Sequence, residues 1–298
     1  MINILDLQFQ DKPDTIAAFL LEASSGPVLV ETGPYSTFQP LKKAVEAKGY
    51  SLEDIKQVFI THIHLDHAGA AWALAERGAT VYLHPFGKKH MEDPSKLLAS
   101  ATRIYGEEGM ERLWSTLKPI PDDKLRTVGH EEVIKVGDIE LKAWHTPGHA
   151  VHHIAWQAGR SLFAGDVAGV KIEGGPVMPP CPPPDINIED WQDSLNLLRS
   201  LNLDNLYLTH FGLIPAGQIS QHLDNLEAGL LRWAKWILPH FEANKTAEEI
   251  TPLFQAFVRK ELEEAGVTDA QYELYENANP AWMSVAGLLR YWRKKRQD

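Results

Sequence analysis

Residues 61–69 read Thr61-His62-Ile63-His64-Leu65-Asp66-His67-Ala68-Gly69. Three histidines and an aspartate fall within six positions, and all four side chains are of types that ligate first-row metals. The preceding run, Val58-Phe59-Ile60, is apolar and β-favouring; the Ala-rich run from Ala68 onward has the form of a starting helix. The cluster therefore sits on a strand-to-helix turn, where the backbone is tight and side chains converge. A solvated, histidine-rich loop is the alternative. The density of donors, opened by a β-run and closed by Ala-Gly, weighs against it.

A metal site needs ligands from several strand ends, and three further donors follow β-like runs. His149 follows the turn Thr146-Pro147-Gly148, Asp166 follows Leu162-Phe163-Ala164-Gly165, and His210 follows Leu206-Tyr207-Leu208-Thr209. Each alone is weak evidence, because a single His or Asp after a strand is often a cap. With the first cluster they make seven donors from four β-to-loop junctions, a number that suits two metals sharing a carboxylate.

The chain around these junctions alternates short β-like runs with helical segments. Strands are expected at 19–22 and 27–31 around Ser24-Ser25-Gly26, then at 58–61 and 80–84, with helices at 38–48 and 70–77. Residues 87–118 look mostly helical and break the alternation. Hairpins are expected around Gly137-Asp138 and Gly159, then a helix at 189–201 and a last short strand at 206–209. After His210 the pattern is helical, at 218–240, 246–265 and 280–296. Thr246 with Glu249 has the form of a capping box, and no β-like run appears in this tail.

The 298 residues allow one large domain or two smaller ones, and a net charge of −11 argues against a dedicated nucleic-acid binder. The basic end at 290–296 reads as a solvated helix terminus. Cys181 is the only cysteine, which excludes an intrachain disulfide. It lies in a proline-rich loop and reads as inert. Neither a signal peptide nor a membrane span is recognisable, so a cytoplasmic protein is expected.

In order and spacing the motifs resemble the metallo-β-lactamase superfamily: His-X-His-X-Asp-His, then Pro-Gly-His, Gly-Asp and a late Thr-His. The resemblance runs from residue 14 to about 212. It implies an α/β fold, a four-layer αββα sandwich over residues 1–215 with a helical insertion at about 87–118. Residues 216–298 would form an all-helical C-terminal extension. It also implies that His62, His64 and His149 bind one metal, that Asp66, His67 and His210 bind a second, and that Asp166 bridges them. The family's early Asp-Thr-Gly motif appears here as Glu31-Thr32-Gly33. Glu31 is expected to support the ligands from behind, with a surface carboxylate as the alternative. His153 matches a second family histidine but is expected, like His152, His84, His90, His130 and His145, to play a structural part.

The expected cofactors are two Zn²⁺, with Mn or Fe as alternatives. Two Zn²⁺, two aspartates and a bridging hydroxide leave a net charge of +1, suited to an oxygen that gains negative charge during hydrolysis. Asp66 is a candidate proton relay. The bridging Asp166 is typical of the glyoxalase II-like, lactonase-like and phosphodiesterase-like branches and absent from true β-lactamases. The resemblance therefore implies a dinuclear zinc hydrolase of a small ester, thioester or lactone. A phosphodiesterase or nuclease is the alternative, and a mononuclear iron oxygenase of the persulfide dioxygenase type a third. The basic patch that glyoxalase II uses for glutathione is not found in the tail. Tyr35, Tyr105 and Trp114 are candidate pocket residues. The expected partner is a small molecule rather than nucleic acid or a membrane, with a homodimer through the C-terminal helices as a further expectation.

Overall fold

The computed structural model describes residues 1–297. One six-stranded sheet runs in chain order through β1 (Ile2–Asp6), β2 (Ala17–Ala23), β3 (Gly26–Val30), β4 (Gln57–Phe59), β5 (Thr80–Leu83) and β6 (Leu125–Thr127). Its first three strands are antiparallel and β3 to β6 are parallel. The second sheet contains β7 (Val133–Val136), β8 (Ile139–His145), β9 (Ile154–Ala158), β10 (Ser161–Phe163), β11 (Asn205–Leu208) and β12 (Gly212–Pro215), also in chain order. Only its β10–β11 pair is parallel.

The strand sequences explain why both faces of each sheet are covered. Successive side chains alternate between faces, and along β2 every residue from Ala17 to Leu21 is buried. Phe19 and Leu21 point between the sheets, while Ala18 and Leu20 join the outer layer. Leu162, Leu206 and Leu208 likewise face outward, with Phe163 and Tyr207 inward. Near-continuous apolar runs of this kind require cover on both sides. The outer face of the first sheet carries α1 (Phe38–Glu46), α3 (Ala71–Ala75), α4 (Pro85–Glu92) and α5 (Ser95–Gly109). The second sheet is covered by α6 (Ile188–Ser200), α7 (Ala216–Glu242), α8 (Ala247–Glu264), α9 (Asp269–Ala278) and α10 (Ala281–Lys295). The one-turn α2 (Leu65–Ala68) lies at the sheet edge. The result is the expected αββα sandwich. Among the described residues no helix is long and apolar enough to cross a membrane.

At one edge the two sheets are tied together by hydrogen bonds. Ile154 N–H donates to Thr61 O at 2.7 Å, Ala17 N–H to Thr209 O at 2.8 Å, and the Trp156 indole N–H to Ile60 O at 3.0 Å. The metal-ligand candidates lie along this edge.

Several elements differ from expectation. β1, β6 and β12 are additional strands, each short and at or near a sheet margin. β12 breaks the expected all-helical run after His210. Its four residues alternate in burial as an edge strand does, but Gly212 and Pro215 at its ends mask the pattern. The insertion is two helices followed by a π-helical turn, Met110–Trp114, and residues 115–121 after it form neither helix nor strand. Among the described residues the tail has four helices rather than three. The missed α9 starts at Thr268, which forms a capping box with Gln271; Thr246 and Glu249 form theirs as expected.

The C-terminal helices share one apolar cluster with the outer face of the second sheet. Closest approach is at Gly287 in α10, where a Cβ would lie 2.0 Å from the Cys181 carbonyl oxygen. Ala there gains about 1 kcal/mol of helix propensity but overpacks a backbone contact. We expect Gly287→Ala to lower stability by about 1–3 kcal/mol net in urea denaturation. Gly217→Ala in α7, with nothing within 4 Å of its Cβ position, should leave stability unchanged or raise it. Equal effects of the two would contradict the close approach.

Candidate metal centre

Five segments deliver polar side chains to the tied edge: the ends of β3, β4, β8, β10 and β11 lead to Glu31, to residues 61–67, to His149, to Asp166 and to His210. The one-turn helix α2 winds the central segment. The His64 carbonyl accepts from His67 and Ala68 N–H, which turns His64, Asp66 and His67 to one side. Gly165 holds a left-handed φ of 50°. A Cβ there would lie 2.6 Å from Thr61 Oγ1 and 2.8 Å from His153 Nε2, so only glycine lets the Asp166 loop come this close.

All seven predicted donors come together in two groups. His62 Nε2 lies 2.9 Å from His64 Nδ1, which lies 3.1 Å from His149 Nε2. In the second group Asp66 Oδ2 lies 3.6 Å from His67 Nε2 and 3.4 Å from His210 Nε2. Asp166 joins them. Its Oδ2 is 3.3 Å from His149 Nε2, and its Oδ1 is 3.3 Å from His67 Nε2 and 3.5 Å from His210 Nε2. Three-donor groups with atoms within 4.8 Å of one another are His62/His64/His149, His62/His67/Asp166 and Asp66/His67/His210.

The opposite ring atoms fix the tautomers. His149 Nδ1–H donates to Pro180 O at 2.9 Å and His210 Nδ1–H to Thr15 O at 2.7 Å. Carbonyls only accept, so Nδ1 carries a proton in each ring and Nε2 is the atom turned to the centre. His67 Nδ1–H donates to Glu31 Oε1 at 3.2 Å. Thr61 Oγ1–H donates to the same oxygen at 2.5 Å, leaving the hydroxyl to accept from His62 Nδ1–H at 3.0 Å. Thr209 Oγ1–H adds a third donor to Glu31 Oε1 at 3.4 Å. Glu31 is fully buried, with a left-handed φ of 67°. It is no surface carboxylate, and it holds one ring of each group.

The donor set fits divalent cations. His67 Nε2, His210 Nε2 and Asp166 Oδ1 are buried with no hydrogen-bond partner among the described residues, a costly arrangement unless another species meets them. Burial keeps the pKa of His62 well below the usual histidine value and that of His64 down at about 3, with neighbouring rings adding to the effect. Both rings are thus neutral and offer lone pairs. Burial also opposes charge at His67 and His210, but Asp166 and Asp66 outweigh it and raise both. Burial resists ionisation of Asp66 and Asp166, yet His67 in each case leads the groups that lower them, Asp66 to about 2. The second group thus has a negative field that calls for positive charge.

A cavity of about 470 Å³ opens onto the centre, reaching His64, Asp66, Asp166 and His210. Tyr105 and Trp114 line it. Tyr35 does not; its ring stacks on Phe38 at 5.2 Å and packs on Trp72 at 4.6 Å, because the start of α1 turns it into the first sheet's helical layer. Cys181 is buried under α10 and absent from the lining, and burial pushes its thiol up. His153 pairs with Thr146 Oγ1 in its turn, and His84 accepts from Phe86 N–H at the start of α4. The basic end of α10 is engaged elsewhere: Arg290 and Lys294 donate to Pro184 O, and Lys295 pairs with Glu189. Sequence reasoning missed Thr61 and Thr209. Their signal was present as a repeated Thr-His pair, Thr61-His62 and Thr209-His210.

A sandwich with a His/Asp donor set along one sheet edge defines the class, that of αββα proteins built around a metal site. The chain belongs to the metallo-beta-lactamase superfamily, whose profile matches residues 11–210. It is 29% identical over 186 residues to the metallo-beta-lactamase fold-containing protein ST1585 of Sulfurisphaera tokodaii, covering 59% of this chain and 67% of that protein. A hydroxyacylglutathione hydrolase from a Bradyrhizobium strain is 31% identical over 180 residues, covering 57% of this chain and 53% of that hydrolase. The chain thus spans about half the length of the hydroxyacylglutathione hydrolases it matches. Among solved structures, the metallo-beta-lactamase family protein TTHA1429 from Thermus thermophilus superposes with a TM-score of 0.68 at 22% identity. The likeness is one of fold, and it covers 99% of this chain and 94% of that one.

Two outcomes test the centre. Asp166→Ala should lose at least one bound metal per chain, read by plasma emission spectrometry after reconstitution. Full retention would contradict a shared carboxylate. Glu31→Ala should weaken metal affinity by about 10–100-fold through the rings it orients, read by competition with a chromogenic chelator; unchanged affinity would return Glu31 to a packing role.

Proposed function

We propose that the protein is a dinuclear zinc hydrolase acting on a small ester, thioester or lactone. The observation that carries this reading is Asp166, whose two oxygens face different groups of imidazole nitrogens, Oδ2 toward His149 and Oδ1 toward His67 and His210. His62, His64 and His149 would hold one ion, and Asp66, His67 and His210 the other. Zinc suits neutral imidazole and carboxylate donors; manganese and iron share them. A pair of such ions supplies a water activated at neutral pH and Lewis acidity toward the scissile oxygen.

The protein's own groups do the rest. Asp66 is the more accessible of the two aspartates and borders the cavity. With Oδ2 turned to His67 and His210, its Oδ1 is left to hold a proton in transit. Glu31 and the carbonyls of Thr15 and Pro180 keep the rings from turning as charge builds.

Relatives named hydroxyacylglutathione hydrolases support hydrolysis of an acyl compound. The phosphodiester alternative would need cations around the cavity. Arg112 is the only Lys or Arg among the lining residues described, and the basic end of α10 is not among them. A complete second donor group weighs against a mononuclear iron oxygenase. The test is metal analysis with a substrate panel: p-nitrophenyl acetate, an acyl thioester, a homoserine lactone and bis-p-nitrophenyl phosphate. We expect about two zinc per chain and turnover of the first three. Turnover confined to the phosphodiester, or one iron per chain with oxygen consumption, would overturn the reading.

A further inference from the structure

The cavity above the centre has a wall that neither the donor set nor the family match explains. Four aromatic rings from three distant segments form a continuous chain along it. Phe9, from the loop after β1, stacks on Trp114 of the π-helical turn at 5.6 Å and 19°. Trp114 meets Tyr105 of α5 edge-on at 5.2 Å, and Tyr105 meets Trp282 of α10 edge-on at 5.7 Å. Met283 closes the series, its sulfur 3.9 Å from Tyr105 Oη. All five line the cavity, and Trp282 and Met283 lie beyond the family match at 11–210.

Ser100, Glu276 and Asn279 also line the cavity, but the aromatic stretch itself offers little to a polar ligand. Gln10 and Asn277 hydrogen-bond each other at 3.3 Å. Tyr105 has only a weak sulfur acceptor, and burial, with a smaller contribution from Asp66, pushes its phenol well above the usual range, so it stays protonated. Arg112, the one Lys or Arg among the described lining residues, is exposed. A rigid aromatic and thioether surface of this kind recognises apolar area rather than charge.

We propose that this wall is an acyl-chain subsite, so that the substrates are esters, thioesters or lactones of medium-length apolar carboxylic acids, with Trp282 and Met283 as specificity-determining residues. The proposal rests on the hydrolase reading above and refines its substrate class. The carbonyl of such a substrate lies at the His/Asp centre while its alkyl chain extends along Tyr105 and Trp282. Hydrolysis breaks the acyl C–O or C–S bond with water and yields the free acid and an alcohol or thiol. Each methylene that the wall buries should raise kcat/KM by about two- to fourfold.

The test is a chain-length series of p-nitrophenyl esters, acetate to decanoate, with the metal-loaded protein, alongside calorimetric binding of decanoate. We expect octanoate to exceed acetate in kcat/KM by at least about 50-fold, from six added methylenes at two- to fourfold each. A ratio near one would overturn the subsite. Trp282→Ala should cut the ratio at least tenfold and weaken decanoate binding; an unchanged ratio in a folded variant would refute the assignment. Should that variant misfold, Ile104→Trp serves: Ile104 lines the cavity and is 37% exposed, so a larger ring can enter without a core penalty. It should move the optimum to shorter chains, and an unmoved optimum would count against the proposal. The two readings fail separately. Decanoate binding that Trp282→Ala weakens, with no ester turned over, keeps the subsite and removes the hydrolase. Turnover without chain-length dependence does the reverse.

Discussion

Asp166 turns one oxygen to His149 and the other to His67 and His210, and it does so while almost fully buried. A carboxylate in that position is costly unless positive charge and hydrogen-bond donors surround it. Much of the nearby structure meets that requirement. Gly165 brings the aspartate loop against Thr61. The hydrogen bonds from Ile154 to Thr61 and from Ala17 to Thr209 tie the two sheets where the ligands emerge. Without that tie the donors from β4 and β10, which lie in different sheets, have no fixed relation. The αββα architecture is what allows strand ends of two sheets to meet along one line.

Glu31 extends the same logic one layer deeper. A single oxygen collects Thr61, His67 and Thr209, so it orients His62 through a hydroxyl and His67 directly. Glu31 itself has a left-handed backbone. Each group then has a ring fixed by the same carboxylate, and displacement of one is felt by the other.

The donors were legible because the chemistry needs particular side chains at particular strand ends. Seven ligand candidates, the order of the main strands and the helical layers could all be read from local pattern and motif. Elements without such a signature were not. β12 is four residues bounded by Gly212 and Pro215, and β1 and β6 are short strands near sheet margins. The carbonyls of Thr15 and Pro180, which set two tautomers, are backbone groups and leave no trace in residue identity. Tyr35 was a candidate for pocket or packing, because an aromatic near the motif serves the core as readily as the pocket; its neighbours Phe38 and Trp72 put it in the core. The pocket wall depended on contacts such as Tyr105 with Trp282, 177 positions apart, which no local periodicity encodes.

Chemistry and selectivity are therefore built from different material. The donors come from tight loops at strand ends, locked by buried hydrogen bonds that cost free energy to disturb. The cavity wall comes from the loop after β1, the insertion and the turn from α9 to α10, joined by aromatic contacts and by Gln10 with Asn277. Such contacts are individually worth about 0.5–1.5 kcal/mol beyond the area they bury. They can be exchanged one at a time without exposing a charge or moving a ligand. A wall of this composition can change while the centre beneath it stays as it is; on α10, Trp282 and Met283 reach the cavity while Gly287 packs against the Cys181 carbonyl.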